Sequence, residues 1–218
     1  AGAAAAGACA YRGARGARVL AERGLGGFYT AALFRYGEAM LPKIAAGMEL
    51  GRSFVVPDEW GGRSIDYLWQ GIGAYLRRHP QVRHLFGPVS ISAALPEPAR
   101  AQIVGYYARY YGTTDSGDAI SAQPFPCPSA LPQFDGLDAE TAFRVLRHNL
   151  DALGATLPML YKQYTELCEP DGVRFLAFGI DPDFADAVDG LIEVDLQRLR
   201  PHKRRRYLGT TVTGEATA

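Results

Sequence analysis

Two charged residues three positions apart, Glu49 and Arg52, lie in a stretch of the chain that is otherwise mostly apolar. The residues that follow, from Phe54 to Val56, are typical of a buried strand. A charged group in such a strand needs a partner or a function. The carboxylate of Glu49 can accept the proton of an amine, and the planar guanidinium of Arg52 can orient that carboxylate or bind a second one on a substrate. A structural ion pair inside the sheet is the alternative explanation.

The turn after this predicted strand has the features of an anion site. Gly61 and Gly62 let backbone N–H groups come close to a ligand. A helix predicted to begin at Ser64 places its N-terminus, which favours negative charge, beside them. The strand, turn and helix of residues 48–76 therefore predict a cradle for a phosphate or for the carbonyl of a thioester.

The remaining pattern predicts an α/β (α+β) fold. Apolar residues on one face predict a helix over 64–79, and 82–92 form the next strand, with Ser90 and Ser92 on one face. A strand, a helix and a strand in succession imply a parallel pair with a crossover. The later predicted elements are helices at 98–111, 138–153 (N-capped by Asp138) and 157–169, antiparallel strands at 173–180 and 188–196, and an insertion or lid at 113–138.

The ends of the chain carry weaker patterns. Residues 1–10 are almost wholly Ala and Gly, and residues 11–22 favour one or two short strands. We therefore expect 1–27 to be a poorly specified segment, truncated at its start because the chain begins without Met. We expect 28–208 to form one domain and 209–218 to be a flexible tail.

Composition excludes several classes of function. The 218 residues hold 23 Lys and Arg against 23 Asp and Glu, so no overall charge favours nucleic acid. The three cysteines are far apart, and the four histidines lack metal-ligand spacing, which argues against a disulfide framework and a metal site. No apolar run reaches the length of a membrane span, and no hydrolase elbow, P-loop or dinucleotide fingerprint is present. We expect a cytoplasmic protein, with a peripheral position at the inner membrane surface as the alternative.

One stretch carries a family resemblance. Residues 49–64, ELGRSFVVPDEWGGRS, resemble the central strand, turn and helix start of the GNAT superfamily of N-acyltransferases. More narrowly, they resemble the bacterial hemolysin-like branch, which is related to ornithine-lipid-type N-acyltransferases, and the Glu-x-x-Arg-x-Phe-Val pattern is similar to acyl-homoserine-lactone synthases. Blocks at 85–92, 160–167 and 181–184 resemble the same branch, so the resemblance runs from about 28 to 208.

The resemblance implies a GNAT-like, mixed and twisted central sheet flanked by helices. It implies transfer of an acyl chain from a pantetheine thioester to the amine of an amino acid or amino lipid, without a metal. The donor is expected to be an acyl-pantetheine on acyl carrier protein or CoA. Acyl carrier protein is the expected partner and ranks ahead of acetyl-CoA as a donor, because the similar synthases use it. Two alternatives stay open. One is an acetyl-CoA-dependent acetyltransferase, and the other is a non-catalytic module, which the departure of the turn from the commonest GNAT pattern would permit.

The resemblance also implies roles for individual residues. Glu49 would take the proton of the acceptor amine and Arg52 would orient it. Either Tyr106 or Tyr107 would protonate the leaving thiolate, although helix tyrosines more often pack in a core. The residues expected to contact the donor are Phe54, Val55, Val56, Gly61, Gly62, Arg63, Ser64, Ser90 and Ser92. The basic residues expected to face an acidic carrier protein are Arg63, Arg77 and Arg78.

Overall fold

The computed structural model describes residues 2–6, 9–55, 64–113, 117–126 and 131–209, and it describes residues up to 12 and residues 52–55 by their backbone alone. The strands are β1 (Gly2–Ala6), β2 (Cys9–Arg15), β3 (Phe34–Tyr36), β4 (Gly47–Val55), β5 (His84–Ile91), β6 (Ala119–Ser121), β7 (Val173–Asp181) and β8 (Ala187–Asp195). The helices are α1 (Gly16–Arg23), α2 (Leu41–Ala45), α3 (Ser64–Arg78), α4 (Glu97–Tyr111), α5 (Ala139–Ala152), α6 (Met159–Thr165) and α7 (Pro201–Leu208).

Six of the strands form one mixed sheet in the order β1-β2-β4-β5-β8-β7. β4 and β5 pair in parallel at its centre, and the other neighbouring strands pair antiparallel. Helix α3 carries the chain from the end of β4 back to the start of β5, as a parallel pair requires. The predicted GNAT-like sheet flanked by helices, with its parallel pair around α3, is confirmed.

The main hydrophobic core lies between one face of this sheet and helices α3 to α7. Leu85, Val89 and Ile91 occupy alternate positions of β5, apart from the intervening Gly87, and all three are buried there. Leu68 and Ile72 of α3 pack against the same face, one helical turn apart. The apolar periodicity of residues 64–79 therefore predicted both the helix and the side that it buries.

A smaller core covers the opposite face of the sheet. Phe86 of β5 and Leu191 of β8 contribute to it from the sheet. Phe28, Phe34 and Ile44 contribute from the segment between α1 and β4. This segment, residues 24–46, therefore forms a layer over the face of the sheet that the helices α3 to α7 leave uncovered. We call it the covering layer.

The first 23 residues have more regular structure than the sequence indicated. β2 pairs with β1 on one side and with β4 on the other. The strand predicted over 11–22 ends at Arg15, and α1 follows because its residues are mostly good helix formers. Alanine-rich strands lack an alternating pattern, so pairing with β4, rather than side-chain type, specifies β2. Val19 and Leu20 of α1 pack on the smaller core.

The segment after α4 was predicted as an excursion or lid, and this is wrong for residues 117–126. β6 pairs antiparallel with β3, which is more than 80 residues earlier, in a separate two-stranded sheet. The backbone N–H of Ile180 in β7 donates to the carbonyl of Gln123 (2.9 Å), and that of Phe125 donates to Phe178 (3.2 Å). Distant partners fix this segment, so its own composition did not reveal it.

The predicted elements of the second half of the chain are present with shifted ends. Asp138 caps α5 as expected, since its carboxylate accepts the backbone N–H of Thr141 at 2.9 Å. Helix α6 is shorter than the predicted 157–169. It begins after Pro158, which lies at the N-cap, and it ends at Thr165, where the chain turns.

Candidate active site

The two parallel strands at the centre of the sheet separate partway along their length. β4 and β5 pair at three positions, the last being Glu49 opposite Phe86. β4 continues to Val55 and β5 to Ile91, but the described backbone of the two strands shows no further pair between them. The edges that face each other beyond Glu49 therefore offer backbone N–H and C=O groups that the neighbouring strand does not satisfy.

A close approach of the two backbones marks the point where they separate. A Cβ atom added to Gly87 would lie 1.9 Å from the carbonyl oxygen of Leu50. No side chain fits there, and glycine is the residue that allows the contact. The gap between the strands thus opens directly after a tight junction.

Glu49 lies at this junction with its carboxylate buried under the covering layer. It is 7% exposed. Its Oε1 accepts the backbone N–H of Thr30 at 2.9 Å and the Thr30 hydroxyl at 2.6 Å, and its Oε2 accepts the backbone N–H of Tyr29 at 3.2 Å. The hydroxyl of Tyr36 donates in turn to Thr30 Oγ1 at 2.5 Å. Glu49 therefore fastens the covering segment to the end of the paired part of β4.

Tyr29 extends this network to β7, the edge strand of the sheet. Its hydroxyl donates to Asp181 Oδ2 at the end of β7. The other oxygen of Asp181 accepts the backbone N–H of Asp183 at 3.0 Å. Tyr29 thus joins the carboxylates of Glu49 and Asp181, through its backbone and its side chain respectively.

A further buried carboxyl group, Asp189, lies on the same face of the sheet. It pairs in register with Ser90 of β5, four residues beyond Phe86, and is 2% exposed. Its Oδ1 has no hydrogen-bond partner among the described residues. Burial raises the pKa of Asp189 to about 6, with a hydrogen bond from Ser90 acting in the opposite direction and the charge of Asp181 adding to the rise. A carboxyl group that titrates near neutral pH is suited to acid and base chemistry.

Glu193, on the same strand, differs because a lysine, an arginine and a histidine ring surround its carboxylate. Lys43 Nζ lies 2.9 Å, Arg174 Nη2 3.0 Å and His84 Nδ1 3.1 Å from its carboxylate oxygens. Burial raises the pKa of Glu193, but His84 and Lys43, with the charge of Arg174, outweigh it and lower the pKa to about 2. This group stays ionised and holds α2 on the sheet.

The two tyrosines predicted to protonate the leaving thiolate lie in the main core, on the face of the sheet opposite Glu49. The hydroxyl of Tyr106 donates to the carbonyl of Ala139 at 3.0 Å. The hydroxyl of Tyr107 is buried without a partner among the described residues. Burial raises the pKa of both phenols. The structure does not bring either hydroxyl together with Glu49.

The predicted donor contacts are partly described. Ser64 is buried at the first position of α3, and Ser90 lies on β5 beside the gap. Ser92 follows β5, is exposed, and accepts the backbone N–H of Ala94 at 3.2 Å. Arg52, Phe54 and Val55 lie in β4 by their backbone, and their side chains are outside the described part of the chain. Val56, Gly61, Gly62 and Arg63 are outside the described residues.

The remaining basic residues predicted to face a carrier protein lie at the end of α3. Arg77 and Arg78 are exposed. Arg77 Nη1 donates to the carbonyl of Tyr207 in α7 at 2.8 Å. One of the two side chains therefore also joins α3 to α7.

The described residues provide no group of three or more His, Cys, Asp or Glu that could hold a metal ion. No helix within those residues is long and apolar enough to span a bilayer.

Sequence reasoning missed Asp189, Tyr29 and Thr30. A signal for Asp189 was present, since it is an acidic residue inside the run AVDGLIEV, whose other members are apolar or glycine apart from one glutamate. For Tyr29 and Thr30 the contacts to Glu49 come from backbone N–H groups 20 and 19 residues away, together with the Thr30 hydroxyl. Residue types do not encode such a contact.

Comparisons with known proteins agree with this geometry. A family model described as an acetyltransferase (GNAT) domain matches residues 4–70, which include part of β1 and the whole of β2 and β4. A glycine N(alpha)-acyltransferase of Phocaeicola vulgatus is 24% identical over 195 residues, covering 84% of this chain and 59% of that protein. A similarly named protein of Bacteroides thetaiotaomicron is 22% identical over 202 residues, covering 87% and 59%. An L-ornithine N(alpha)-acyltransferase of Rhizobium meliloti is 40% identical over 79 residues, covering 36% and 26%.

The chain spans 59% of the length of the first two relatives. No solved structure matches it significantly. The matches confirm the predicted resemblance to the GNAT superfamily and to ornithine-type N-acyltransferases: residues 4–70 match an acetyltransferase (GNAT) domain, and a longer part of the chain is similar to proteins named N(alpha)-acyltransferases.

Proposed function

We propose that this chain is an acyltransferase that moves an acyl group from a pantetheine thioester to the amine of an amino acid. One observation carries the proposal. The central parallel strands separate directly after Glu49, inside a sheet whose first half matches a GNAT domain. The names of the relatives, which specify N-acylation of glycine and of ornithine, support an amino acid as the acceptor.

The gap between β4 and β5 suits the pantetheine arm of a donor. The arm carries amide groups, which can pair with unsatisfied N–H and C=O groups along a strand edge as a further strand would. Such N–H groups are also the donors that stabilise the oxyanion formed when an amine attacks a thioester. The strands beyond Glu49 supply these groups without any side-chain chemistry.

The donor that we propose is a long acyl chain on acyl carrier protein. The N-terminus of α3, a helix of 15 residues, lies at the end of the β4 connection and favours the negative charge of a phosphate. That feature serves the phosphopantetheine of a carrier protein and the phosphates of CoA alike. Arg78, exposed at the other end of α3, provides positive charge for an acidic carrier.

We place the acceptor on the face of the sheet that lies opposite the main core. The covering layer at Tyr29 and Thr30 borders this face, and the buried carboxyl groups of Asp181 and Asp189 lie on it. Negative charge in a buried place favours a cationic ligand. An amino acid presents such a group as its ammonium.

The test is product formation by the purified 218-residue chain. Palmitoyl-acyl carrier protein, palmitoyl-CoA and acetyl-CoA are each incubated with glycine or ornithine, and the products are identified by mass spectrometry. We expect N-palmitoyl amino acid, formed faster from the carrier protein than from CoA. An N-acetyl product alone would replace the long-chain donor by acetyl-CoA. No acyl product with any donor would leave a non-catalytic module of the same fold.

A further inference from the structure

Asp189 lies on β8, next to the strand β5 that borders the gap in the sheet. Its register partner Ser90 belongs to the part of β5 that no longer pairs with β4. Side chains that are direct partners across a ladder share a face of the sheet. Phe86, four residues before Ser90, is the partner of Glu49. Asp189 and Glu49 therefore face the same layer, and one strand separates Asp189 from the gap.

Glu49, Asp181 and Glu193 have a partner on each carboxylate oxygen, whereas Asp189 has one oxygen without a partner among the described residues. Glu49 accepts three hydrogen bonds and Asp181 accepts two, one on each oxygen. Glu193 is in contact with Lys43 and Arg174. Asp189 Oδ1 is buried without a partner in the described part of the chain. An unsatisfied buried acceptor is unfavourable, and a ligand N–H that reaches it removes this penalty.

The charges around Asp189 also favour a cation. The charge of Asp181 acts on it from β7, where Asp181 pairs with Ala187, two residues before Asp189, and the Tyr29 hydroxyl donates to Asp181 Oδ2. Ser90 bonds it from β5, and Tyr161 approaches from the helix layer, where its hydroxyl donates to the Val89 carbonyl. The ion pairs of the described residues include none with Asp181 or Asp189. Two acidic groups that no cation of the described residues pairs with favour the binding of an ammonium group.

We propose that Asp189 is the carboxylate that binds the ammonium group of the acceptor amino acid and takes its proton. This inference rests on the proposed function. The proton passes from the ammonium nitrogen to Asp189 Oδ1, which leaves a neutral amine and a carboxylic acid. The amine attacks the thioester carbonyl carbon, the C–N bond forms, and the C–S bond breaks with loss of the thiolate. The second proton of the nitrogen leaves with the thiolate as the amide forms, so that charge and atoms balance.

Glu49 is a positioning residue in this account. Its hydrogen bonds fix Tyr29 and Thr30, and Tyr29 fixes Asp181 beside Asp189. The hypothesis from the sequence, in which Glu49 itself accepts the proton, makes a different prediction. The two hypotheses differ in which carboxyl group, Asp189 or Glu49, controls the pH dependence of the reaction.

The experiment measures kcat/KM for amide formation from pH 5 to pH 10 with the full chain and its variants. Wild type is expected to gain activity as pH rises through about 6 and then to remain level up to the pKa of the acceptor amine. Asp189→Asn is expected to lose roughly 10²- to 10⁴-fold at pH 7. It should recover part of that loss toward pH 10, where the acceptor is a free amine. Ser90→Ala should move the acid limb to higher pH, because the hydrogen bond that opposes the rise is removed.

Asp195→Asn is the matched control. Asp195 is on the same strand, but its carboxylate accepts the backbone N–H of Gln197 at the end of β8, so its acid limb and rate should match wild type. The inference is overturned if Asp189→Asn folds, retains activity within threefold and keeps the acid limb. It is overturned equally if Glu49→Gln removes the limb and Ser90→Ala leaves it unmoved. An inactive wild type would instead contradict the proposed function, and the inference with it.

Discussion

The carbonyl oxygen of Leu50 occupies the space where any residue other than glycine at position 87 would place its Cβ, 1.9 Å away. This contact joins β4 and β5 one residue after their last pair, Glu49 and Phe86. Beyond it the two strands part. The junction therefore sets where the gap begins and holds Glu49 at its closed end.

Gly87→Ala is expected to destabilise the protein by about 1–3 kcal/mol, because a methyl group against backbone forces the two strands apart. Gly51→Ala is the matched control, since a Cβ at Gly51 meets nothing within 4 Å. Urea denaturation of the two variants measures the difference. Equal free energies of unfolding would show that the junction is not tight.

Thr30→Val tests the fastening of the covering layer to Glu49. The substitution keeps the shape but removes the donor to Glu49 Oε1 and the acceptor of the Tyr36 hydroxyl. We expect a loss of about 1–3 kcal/mol, because the Tyr36 hydroxyl is left buried without its partner. Tyr36→Phe removes only the hydrogen bond from Tyr36 to Thr30, so it should lower the free energy of unfolding by less. In a double-mutant cycle the two effects should not add, and strict additivity would argue against the network.

The Glu193 cluster predicts a loss of stability in acid. The pKa of Glu193 is lowered from 4.5 to about 2 in the folded protein, so its contribution is present above pH 4.5 and is lost as pH falls toward 2. The contribution is on the order of 3 kcal/mol. Glu193→Gln should therefore be less stable than wild type at pH 7 and approach it at pH 2. Glu166→Gln, in an exposed pair with Lys162, should differ from wild type by less than about 1 kcal/mol at either pH.

The buried carboxyl group of Asp189 should change the stability of the protein with pH in the direction opposite to Glu193. Its pKa is raised from 3.8 to about 6, so the folded protein binds the proton more tightly than the unfolded chain and loses stability as pH rises from 3.8 to 6. Asp189→Asn should remove this dependence and be more stable than wild type at pH 8, by up to about 3 kcal/mol. Thermal unfolding at pH 4 and pH 8 measures it. A wild type that gains stability relative to Asp189→Asn between these values would contradict the burial argument.

Elements with a local pattern were predictable from the sequence, and contacts between distant segments were not. The apolar periodicity of α3, the cap at Asp138 and the strands β7 and β8 all appear where residue types indicated. β1 and β6 did not, and β2 was predicted only in part, because their pairing partners, rather than their side chains, hold them in the sheets.

The residues of the site also differ in whether the sequence indicated them. Glu49 was found because a charge inside an apolar strand is unusual. Its donors, the backbone N–H groups of Tyr29 and Thr30 and the Thr30 hydroxyl, lie in a distant segment, and no pattern in the sequence indicated them. Asp189 lies one strand from the gap because the register of β5 and β8 pairs it with Ser90. Register depends on the whole sheet, so the residue could be noticed in the sequence but not placed.

The central claim, that the chain acylates the nitrogen of an amino acid, is tested most directly by mass spectrometry with ¹⁵N-labelled glycine and palmitoyl-acyl carrier protein. We expect N-palmitoylglycine one mass unit heavier than its unlabelled form. The thiol of the carrier protein should be released only when glycine is present. Release of the thiol and free palmitate at the same rate without glycine, and no labelled amide, would contradict it.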